Sequence, residues 1–375
     1  MRTRTGPVLT RASSKVFTPG WLAVTVAISL LSWAAPASAA KPVVYTMDNA
    51  AAANSLVVYQ AGIDGSLGPP HVVPTGGMGT GGGLGSQGAI ALTEDGQWLL
   101  AVNAGSDDVS VFSIRRGDPV LTDRTPSGGS LPISVSTHRD TVFVLNAGGT
   151  PNIAGFALDR NGMLHPIPGA TLPLAGSGPA QVSFSHDGRT LVVTDKPTNA
   201  IEVFRFDGET LEGPFVHPSA GDTPFGFALD RRGFAVVSEA FGGQPGVSAV
   251  SSYRVLDDGG LELITASLGT TQTAACWVVV TRNQKYAYIA NTGSSSITSM
   301  AVHRDGSLEM LEPVAGQTPP GTATIDLALD VGSRFLYALA SGTITSFRVR
   351  ADGSLVPTGT VSGLPPSSTV GLIAK

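Results

Sequence analysis

The chain has 375 residues, of which 42% are hydrophobic and only 14% charged, and its formal net charge is -5. This hydrophobic content excludes an intrinsically disordered chain. The acidic balance and the lack of a basic cluster interleaved with aromatic residues argue against nucleic acid as a partner. Cys276 is the only cysteine, so no intramolecular disulfide can form and packing must stabilise the fold.

The first 39 residues have the pattern of a secretory signal peptide. Basic residues at positions 2, 4, 11 and 15 precede an apolar run at 21–31, and the small residues Ala37-Ser38-Ala39 follow. We therefore predict that residues 1–39 are removed, and that a domain over residues 40–375 works in the periplasm or is secreted. The alternative is an uncleaved membrane anchor, but the apolar run is short for a membrane span. If the peptide is cleaved, we expect no membrane span in the mature domain.

A short phrase recurs along the rest of the chain, in which a small hydrophobic strand stops on a polar residue, a turn follows, and a second strand begins. The stops recur every 43 to 55 residues, at Asp48, Asn103, Asn146, Asp195, Glu239, Asn291 and Ser341. A period of this length with only strands inside each unit is typical of a β-propeller. We predict an all-β fold with seven blades, each a four-stranded antiparallel sheet.

The first unit lacks an innermost strand, whereas the tail at 368–374 has no partner of its own. We therefore predict that the tail is the innermost strand of the first blade, which closes the ring and removes an open sheet edge. The Asp-Gly pairs, such as Asp187-Gly188 and Asp352-Gly353, are predicted to form hairpin turns that need a positive φ. The glycine-rich stretch at 76–85 lacks the Lys-Ser/Thr of a phosphate-binding loop. It is interpreted as a mobile connection between blades that could hang over the channel.

The polar stops are the first candidates for a ligand site, because they lie at one end of the predicted blades. A short polar side chain at such a place often satisfies backbone groups of the following turn instead. The binding candidates are Asp48, Asn103, Asn146, Asp195 and Asn291, together with Gln181 on a predicted innermost strand. Glu239 is longer and fits the turn role less well, so it is the candidate catalytic residue. A weaker alternative is a divalent cation between carboxylates of different blades, namely Asp48, Asp195, Glu239 and Asp326, and we predict no metal site.

The repeated phrase resembles that of the seven-bladed lactonase family, which includes 6-phosphogluconolactonase-like proteins and carboxymuconate cyclases. The segments at 94–103, 185–194 and 303–308 carry the resemblance best, and it extends over essentially the whole predicted domain. It implies a propeller whose channel holds a His, two Arg and a Glu for work on a lactone. Opening a lactone needs a donor for the oxyanion and a group that guides a proton.

One of these four groups has a match here. Glu239 in Ser238-Glu239-Ala240 matches the family's glutamate, and Gln181 stands where the family often has a histidine. The stretch Pro224-Phe225-Gly226 keeps the family's proline without the Arg-His pair, and the strand at 276–280 carries no charge.

Two functions are therefore open, and the residues alone do not decide whether the protein is an enzyme. The first is a lactonase-like hydrolase or cyclase that acts on a small organic-acid lactone at the central channel. The second is a non-catalytic propeller that binds a small molecule, a protein or a component of the cell envelope. A basic residue beside Glu239 would favour the enzyme, and a channel lined by Val, Ala, Gly and Thr would favour the binder. No cofactor motif is present, and we expect a monomer.

Overall fold

The computed structural model describes residues 20, 42–114 and 118–375. The predicted signal peptide, apart from Gly20, lies outside these residues. The described part consists of strands, turns and two one-turn 3-10 helices, Phe241–Gly243 and Thr292–Ser294. None of its helices has the length and apolarity that crossing a membrane requires.

The described strands form seven sheets of four strands each, as the repeat predicts. Blade 1 holds β1 (Val43–Met47), β2 (Ser55–Ala61), β3 (Leu67–Pro74) and β28 (Val370–Ala374). Blade 2 holds β4 (Ile90–Leu92), β5 (Trp98–Asn103), β6 (Asp108–Ser113) and β7 (Val120–Pro126). Blade 3 holds β8 (Ser130–His138), β9 (Thr141–Gly148), β10 (Asn152–Leu158) and β11 (Leu164–Pro173).

The remaining blades repeat this order. Blade 4 holds β12 (Pro179–Phe184), β13 (Thr190–Asp195), β14 (Ala200–Phe206) and β15 (Leu211–Pro218). Blade 5 holds β16 (Pro224–Leu229), β17 (Phe234–Glu239), β18 (Ala249–Val255) and β19 (Leu261–Gly269). Blade 6 holds β20 (Ala275–Val280), β21 (Tyr286–Asn291), β22 (Ser296–Val302) and β23 (Leu308–Gln317). Blade 7 holds β24 (Thr324–Leu329), β25 (Phe335–Ala340), β26 (Thr343–Val349) and β27 (Leu355–Ser362).

The ring closes through the C-terminal strand, as predicted. In β28, Leu372 pairs with Thr46 of β1 and Ala374 pairs with Val44, both in antiparallel register. The pairing continues past the strand, where the backbone N–H of Lys375 donates to the carbonyl of Val43 at 2.9 Å. Blade 1 is therefore built from both ends of the propeller.

The core lies between blades, because each sheet is covered on both faces by its neighbours. The second strands are accordingly buried along their length, as in β5 and β13, which is why they are nearly continuous apolar runs. Phe143 of blade 3 illustrates the contact, since its ring meets Phe184 and Phe206 of blade 4 edge-on, with centroids 5.5 and 5.2 Å apart. Such pairs add to the stabilisation that burial provides.

The innermost strands, β4, β8, β12, β16, β20, β24 and β28, contact one another in ring order around a central channel. Because neighbouring strands run antiparallel, the loops that follow the second strands and the loops that enter each next blade lie at one end of this channel. We call this end the mouth face. The turns between first and second strands, and between third and fourth strands, lie at the other end, which we call the turn face.

Candidate functional site

The structure places the polar stops together on the mouth face, at the ends of the second strands. Asn103, Asn146, Asp195, Glu239 and Asn291 are fully buried, whereas Asp48 is partly exposed. Their hydrogen bonds show what most of them contact.

The carboxylate of Glu239 is bound to the loop that leads from blade 4 to blade 5. It accepts hydrogen bonds from the backbone N–H of Gly221 at 2.9 Å and from the hydroxyls of Ser267, at 2.7 Å, and Ser251. A Cβ on Gly221 would lie 2.1 Å from the carboxylate, so only glycine fits there. Burial raises the pKa of Glu239, and hydrogen bonds from Ser251 and Ser267 oppose that rise. No Lys, Arg or His in the described part of the chain forms an ion pair with this carboxylate.

Three further stops hold a connection between blades in the same manner, an arrangement that we call a clasp. Asp195 accepts from the backbone N–H of Gly178 at 2.8 Å. Asn146 donates to the carbonyl of Ser127 at 3.1 Å. Asn103 accepts from the hydroxyl of Thr75 at 2.7 Å. The loop that each of them binds enters the blade to which the stop belongs, so the clasps fix neighbouring blades to one another.

Of the remaining three stops, Ser341 accepts from the backbone N–H of Ala323 in the loop that enters blade 7, at 3.3 Å, whereas Asn291 and Asp48 bind within their own blade. The carboxamide of Asn291 donates to the hydroxyls of Ser296 and Thr298 at 3.1 and 2.9 Å. Asp48 accepts from the backbone N–H groups of Ala50 and Ser55 in the following turn. The turn role that the sequence offered as the alternative therefore accounts for the contacts of Asp48. Catalysis stays a prediction for Glu239, and ligand binding stays a prediction for Gln181 and for the stops Asp48, Asn103, Asn146, Asp195 and Asn291.

Gln181 lies elsewhere, on the innermost strand β12. Its carboxamide donates to the carbonyl of Phe227 at 3.0 Å and accepts from the N–H of the same residue at 2.7 Å. Phe227 belongs to β16 of the next blade, whose free edge faces the channel. Ser134 of blade 3 makes a similar contact with the next blade, because its hydroxyl accepts a hydrogen bond from the N–H of Val182 in β12 at 3.2 Å. Each side chain satisfies backbone groups that would otherwise be unpaired.

Blade 5 has Gly226 at the position that corresponds to Gln181, and a glycine has no side chain with which to bind Val278 of β20. Gln87 of blade 2 takes this place from across the ring. Its carboxamide donates to the carbonyl of Val278 at 2.8 Å and accepts from the N–H of Val278 at 3.1 Å. A Cβ on Gly226 would lie 2.1 Å from the Gln87 Oε1. The glycine therefore makes room for the glutamine, and Gln87 repeats the contact that Gln181 makes one blade earlier.

The segment 84–88 crosses the channel, and we call it the channel plug. Besides Gln87, the hydroxyl of Ser86 donates to Ile133 of blade 3 at 2.8 Å. The Trp277 indole of blade 6 donates to the carbonyl of Ser86 at 3.0 Å. The sequence predicted a mobile loop at 76–85 that could hang over the channel. Instead, its end and the three residues that follow are anchored inside the channel to blades 3, 4 and 6.

Lys196 is the cationic side chain at the plugged mouth. Its ammonium donates to the carbonyl of Gly85 in the plug at 2.7 Å and to that of Pro179 at 3.0 Å. It also lies 5.0 Å from the centroid of the Phe225 ring, and that ring packs 5.0 Å from Trp277. Burial lowers the pKa of Lys196. A lysine ammonium has three N–H donors, so one is left for a ligand.

Beyond the plug, the partly exposed residues of the innermost strands are mainly small or apolar. The partly exposed ones include Ala91, Leu92, Ser183, Ala228, Val279 and Val280. Asp326 on β24 is 2% exposed, and its carboxyl accepts from the N–H of Leu327 at 2.8 Å. Burial raises the pKa of Asp326 well above its usual range. The carboxylates considered for a cation site do not converge, and the described residues contain no group of three or more potential metal ligands.

Sequence reasoning missed the two residues that define this region, Gln87 and Lys196. Gln87 gave no signal, because its partner Val278 lies 191 residues away and in a different repeat. Lys196 directly follows the stop Asp195 of the fourth repeat unit, and this adjacency was the available signal. A residue next to a stop lies on the mouth face, so the sequence position of Lys196 alone places a cation there.

Known proteins share this architecture. The model of the family described as "Lactonase, 7-bladed beta-propeller" matches residues 38–170, which confirms the resemblance seen in the repeats. No curated protein matches the chain.

Solved structures of similar fold cover nearly all of the chain. A putative 6-phosphogluconolactonase from Bacteroides fragilis superposes with a TM-score of 0.71 at 18% identity, over 91% of this chain and 100% of its own. The periplasmic gluconolactonase of Pseudomonas aeruginosa gives a TM-score of 0.70 at 18% identity, over 88% of this chain and 98% of its own. At these identities the likeness shows the fold.

Proposed function

We propose that this lactonase-like propeller binds a small organic acid or its lactone at the mouth of the channel, with Lys196 as the charged contact, and does so without catalysing hydrolysis. The observation that carries the proposal is the position of the Lys196 ammonium, which lies between the plug, Pro179 and the Phe225 ring. A carboxylate or a lactone carbonyl is the acceptor that a partly desolvated ammonium prefers. The aromatic ring beside it supplies an apolar wall.

Two features support binding over turnover. Glu239 already has three hydrogen-bond donors and no cationic partner within the described part of the chain, so its carboxylate is committed to the clasp. The plug fills the channel between blades 4 and 6, where a lactone would have to enter to reach the innermost strands. In addition to these two features, the partly exposed residues of the innermost strands are mainly small or apolar, which is the composition that favours a binding protein.

Lactone hydrolysis is the second candidate, with Glu239 as its catalytic residue. The family match over residues 38–170 and the two lactonase structures of the same fold favour it. For either function, the signal-peptide pattern in residues 1–39 supports export, with residues 40–375 as the mature domain. Binding of an envelope component or a protein, as a monomer, is compatible with the same mouth.

Calorimetric titration of the mature domain with gluconolactone and with gluconate, alongside a pH-stat assay of lactone opening, tests both candidates. We expect binding without turnover. The Lys196→Met variant should lose binding, whereas Lys285→Met, which changes an exposed lysine on the turn face, should retain it. Turnover that disappears in Glu239→Gln would establish hydrolysis instead. Failure of the unmodified domain to bind either compound would refute the proposal.

A further inference from the structure

The turn face has grooves between adjacent blades, and their charges differ. The groove between blades 3 and 4 is lined by Arg139, Arg189, Arg205 and five carboxylates, and the groove between blades 2 and 3 by two arginines and four carboxylates. The groove between blades 6 and 7 has a volume of about 330 Å³ and is lined by Arg282, Arg334 and Arg350, with no Asp or Glu. We call this third one the arginine groove. Its composition is notable because the whole chain is acidic.

The carboxylates nearest to the arginine groove neutralise it only in part. Asp330 lies behind the groove, and only 3% of its side chain is exposed. Its Oδ2 lies 3.3 Å from the Nε of Arg334. Asp352 lies beside it, and its carboxylate accepts from the N–H and the hydroxyl of Ser354. Among the residues that the structure describes, the guanidinium of Arg282 donates a hydrogen bond only to the carbonyl of Val331, at 3.4 Å. The guanidinium of Arg350 donates to no residue in the described ranges.

Hydrogen bonds between the two blades fix the backbone that carries these arginines. The N–H of Arg282 in blade 6 donates to the hydroxyl of Ser333 in blade 7 at 2.9 Å, one residue before Arg334. The phenol of Tyr286 donates to the carbonyl of Ala351 at 2.9 Å, one residue after Arg350. The Tyr286 ring also lies flat against Gly353, where a Cβ would come within 2.6 Å of it. The three arginines are therefore held around one opening by contacts that do not use their guanidinium groups.

We propose that the arginine groove binds a small ligand that bears phosphate, such as a sugar phosphate or a diphosphate. Guanidinium groups bind phosphate oxygens with paired, charge-assisted hydrogen bonds, and two of the three guanidinium groups here have donors to spare. Tyr286 and Thr281 line the same groove and give it a partly apolar floor. The groove lies on the face opposite Lys196, so this site is separate from the proposed acid site.

Calorimetric titration with inorganic pyrophosphate tests the proposal. We expect binding that weakens as salt is added. Arg282→Gln and Arg350→Gln should each weaken it by about tenfold, since each removes charge-assisted bonds. Arg189→Gln, in the carboxylate-rich groove of blades 3 and 4, is the matched control and should bind as the unmodified domain does.

Three outcomes would overturn the proposal. The first is the absence of binding at about 10 mM pyrophosphate, and the second is an equal loss in the Arg189→Gln control. The third is binding to vesicles that contain phosphatidylglycerol without binding to pyrophosphate, which would indicate a membrane surface instead of a small phosphate. Gluconate binding at the mouth should be unchanged in Arg350→Gln, so failure here is distinguishable from failure of the proposed acid site.

Discussion

Replacing Gln87 by alanine should destabilise the whole ring, because this side chain binds both backbone groups of Val278 on the free edge of β20. The change removes the two hydrogen bonds to Val278, which is itself fully buried. Leaving a buried backbone group unpaired costs about 1–3 kcal/mol. Gln87 is partly exposed, so water from the channel can replace part of what is lost. We therefore expect a loss near the lower end for each group, or about 2–3 kcal/mol of unfolding free energy in total.

Thermal unfolding makes this loss measurable. A domain of the length of Lys41–Lys375 has an unfolding entropy of about 0.7 kcal/mol/K, so the melting temperature should fall by about 3–4 °C. Gln181→Ala is the matched control, because it removes the same pair of bonds from Phe227 one blade earlier. A fall at least as large is expected for it, because Gln181 is buried and water replaces less of what is lost.

A second readout reports on the plug itself. Trp277 donates to Ser86 in the plug, and its fluorescence can be isolated in the mature domain by replacing Trp98 with phenylalanine in all variants. Release of the plug in Gln87→Ala should shift the Trp277 emission to longer wavelength, whereas Gln181→Ala should leave it nearly unchanged. If Gln87→Ala has the melting temperature of the parent while Gln181→Ala has a lower one, the reasoning about Gly226 and the plug is wrong.

Three other predictions follow from the fold and the clasps. Deleting the residues after Pro366 removes β28, with its ladder and the burial of Val370 and Leu372. It should cost about 5–10 kcal/mol, comparable to the stability of a whole domain, and an unchanged melting temperature would refute the closure. Gly221→Ala should destabilise the domain by about 1–3 kcal/mol, because the new methyl group meets the carboxylate of Glu239. The control Gly269→Ala places its methyl group in open space and should leave the stability unchanged. Equal melting temperatures for the two variants would count against the clasp. Burial raises the pKa of Glu239, so this group stabilises the fold at low pH and loses that effect as pH rises through its folded pKa. The melting temperature of E239Q, relative to that of the parent, should therefore be higher at about pH 7.5 than at about pH 4.5. A pH-independent difference in melting temperature would contradict burial as the dominant cause.

The ring, its closure and its turns could be predicted from the sequence because each depends on a pattern that repeats. The seven stops recur at a nearly regular spacing, the unpaired tail had one place to go, and the turn glycines Gly188 and Gly353 have the positive φ that a hairpin requires. The polar stops were also correctly placed on one face. The structural alternative to ligand binding, in which the stops bind turns and loops, could also be stated from the sequence, since short polar side chains satisfy nearby backbone groups.

The contents of the channel could not be predicted in this way. Gly226 appeared in the sequence as the loss of a functional side chain, whereas in the fold it is the space that Gln87 occupies. No periodic signal connects two residues that lie in different blades and meet only across the axis. The burial of Glu239 was hidden for a related reason, because its partners Gly221 and Ser267 come from a connecting loop and from the outermost strand of the blade.

The position of β28 bears on the order of events in biosynthesis. Val370 in β28 lies 324 residues after Thr46 in β1, so blade 1 cannot be completed before the residues of the other six blades have been synthesised. Until then the chain is an open array of blades, whose first sheet keeps an unpaired edge. Late assembly of this kind would also leave a polypeptide truncated near its C-terminus permanently incomplete, and therefore a ready target for proteases.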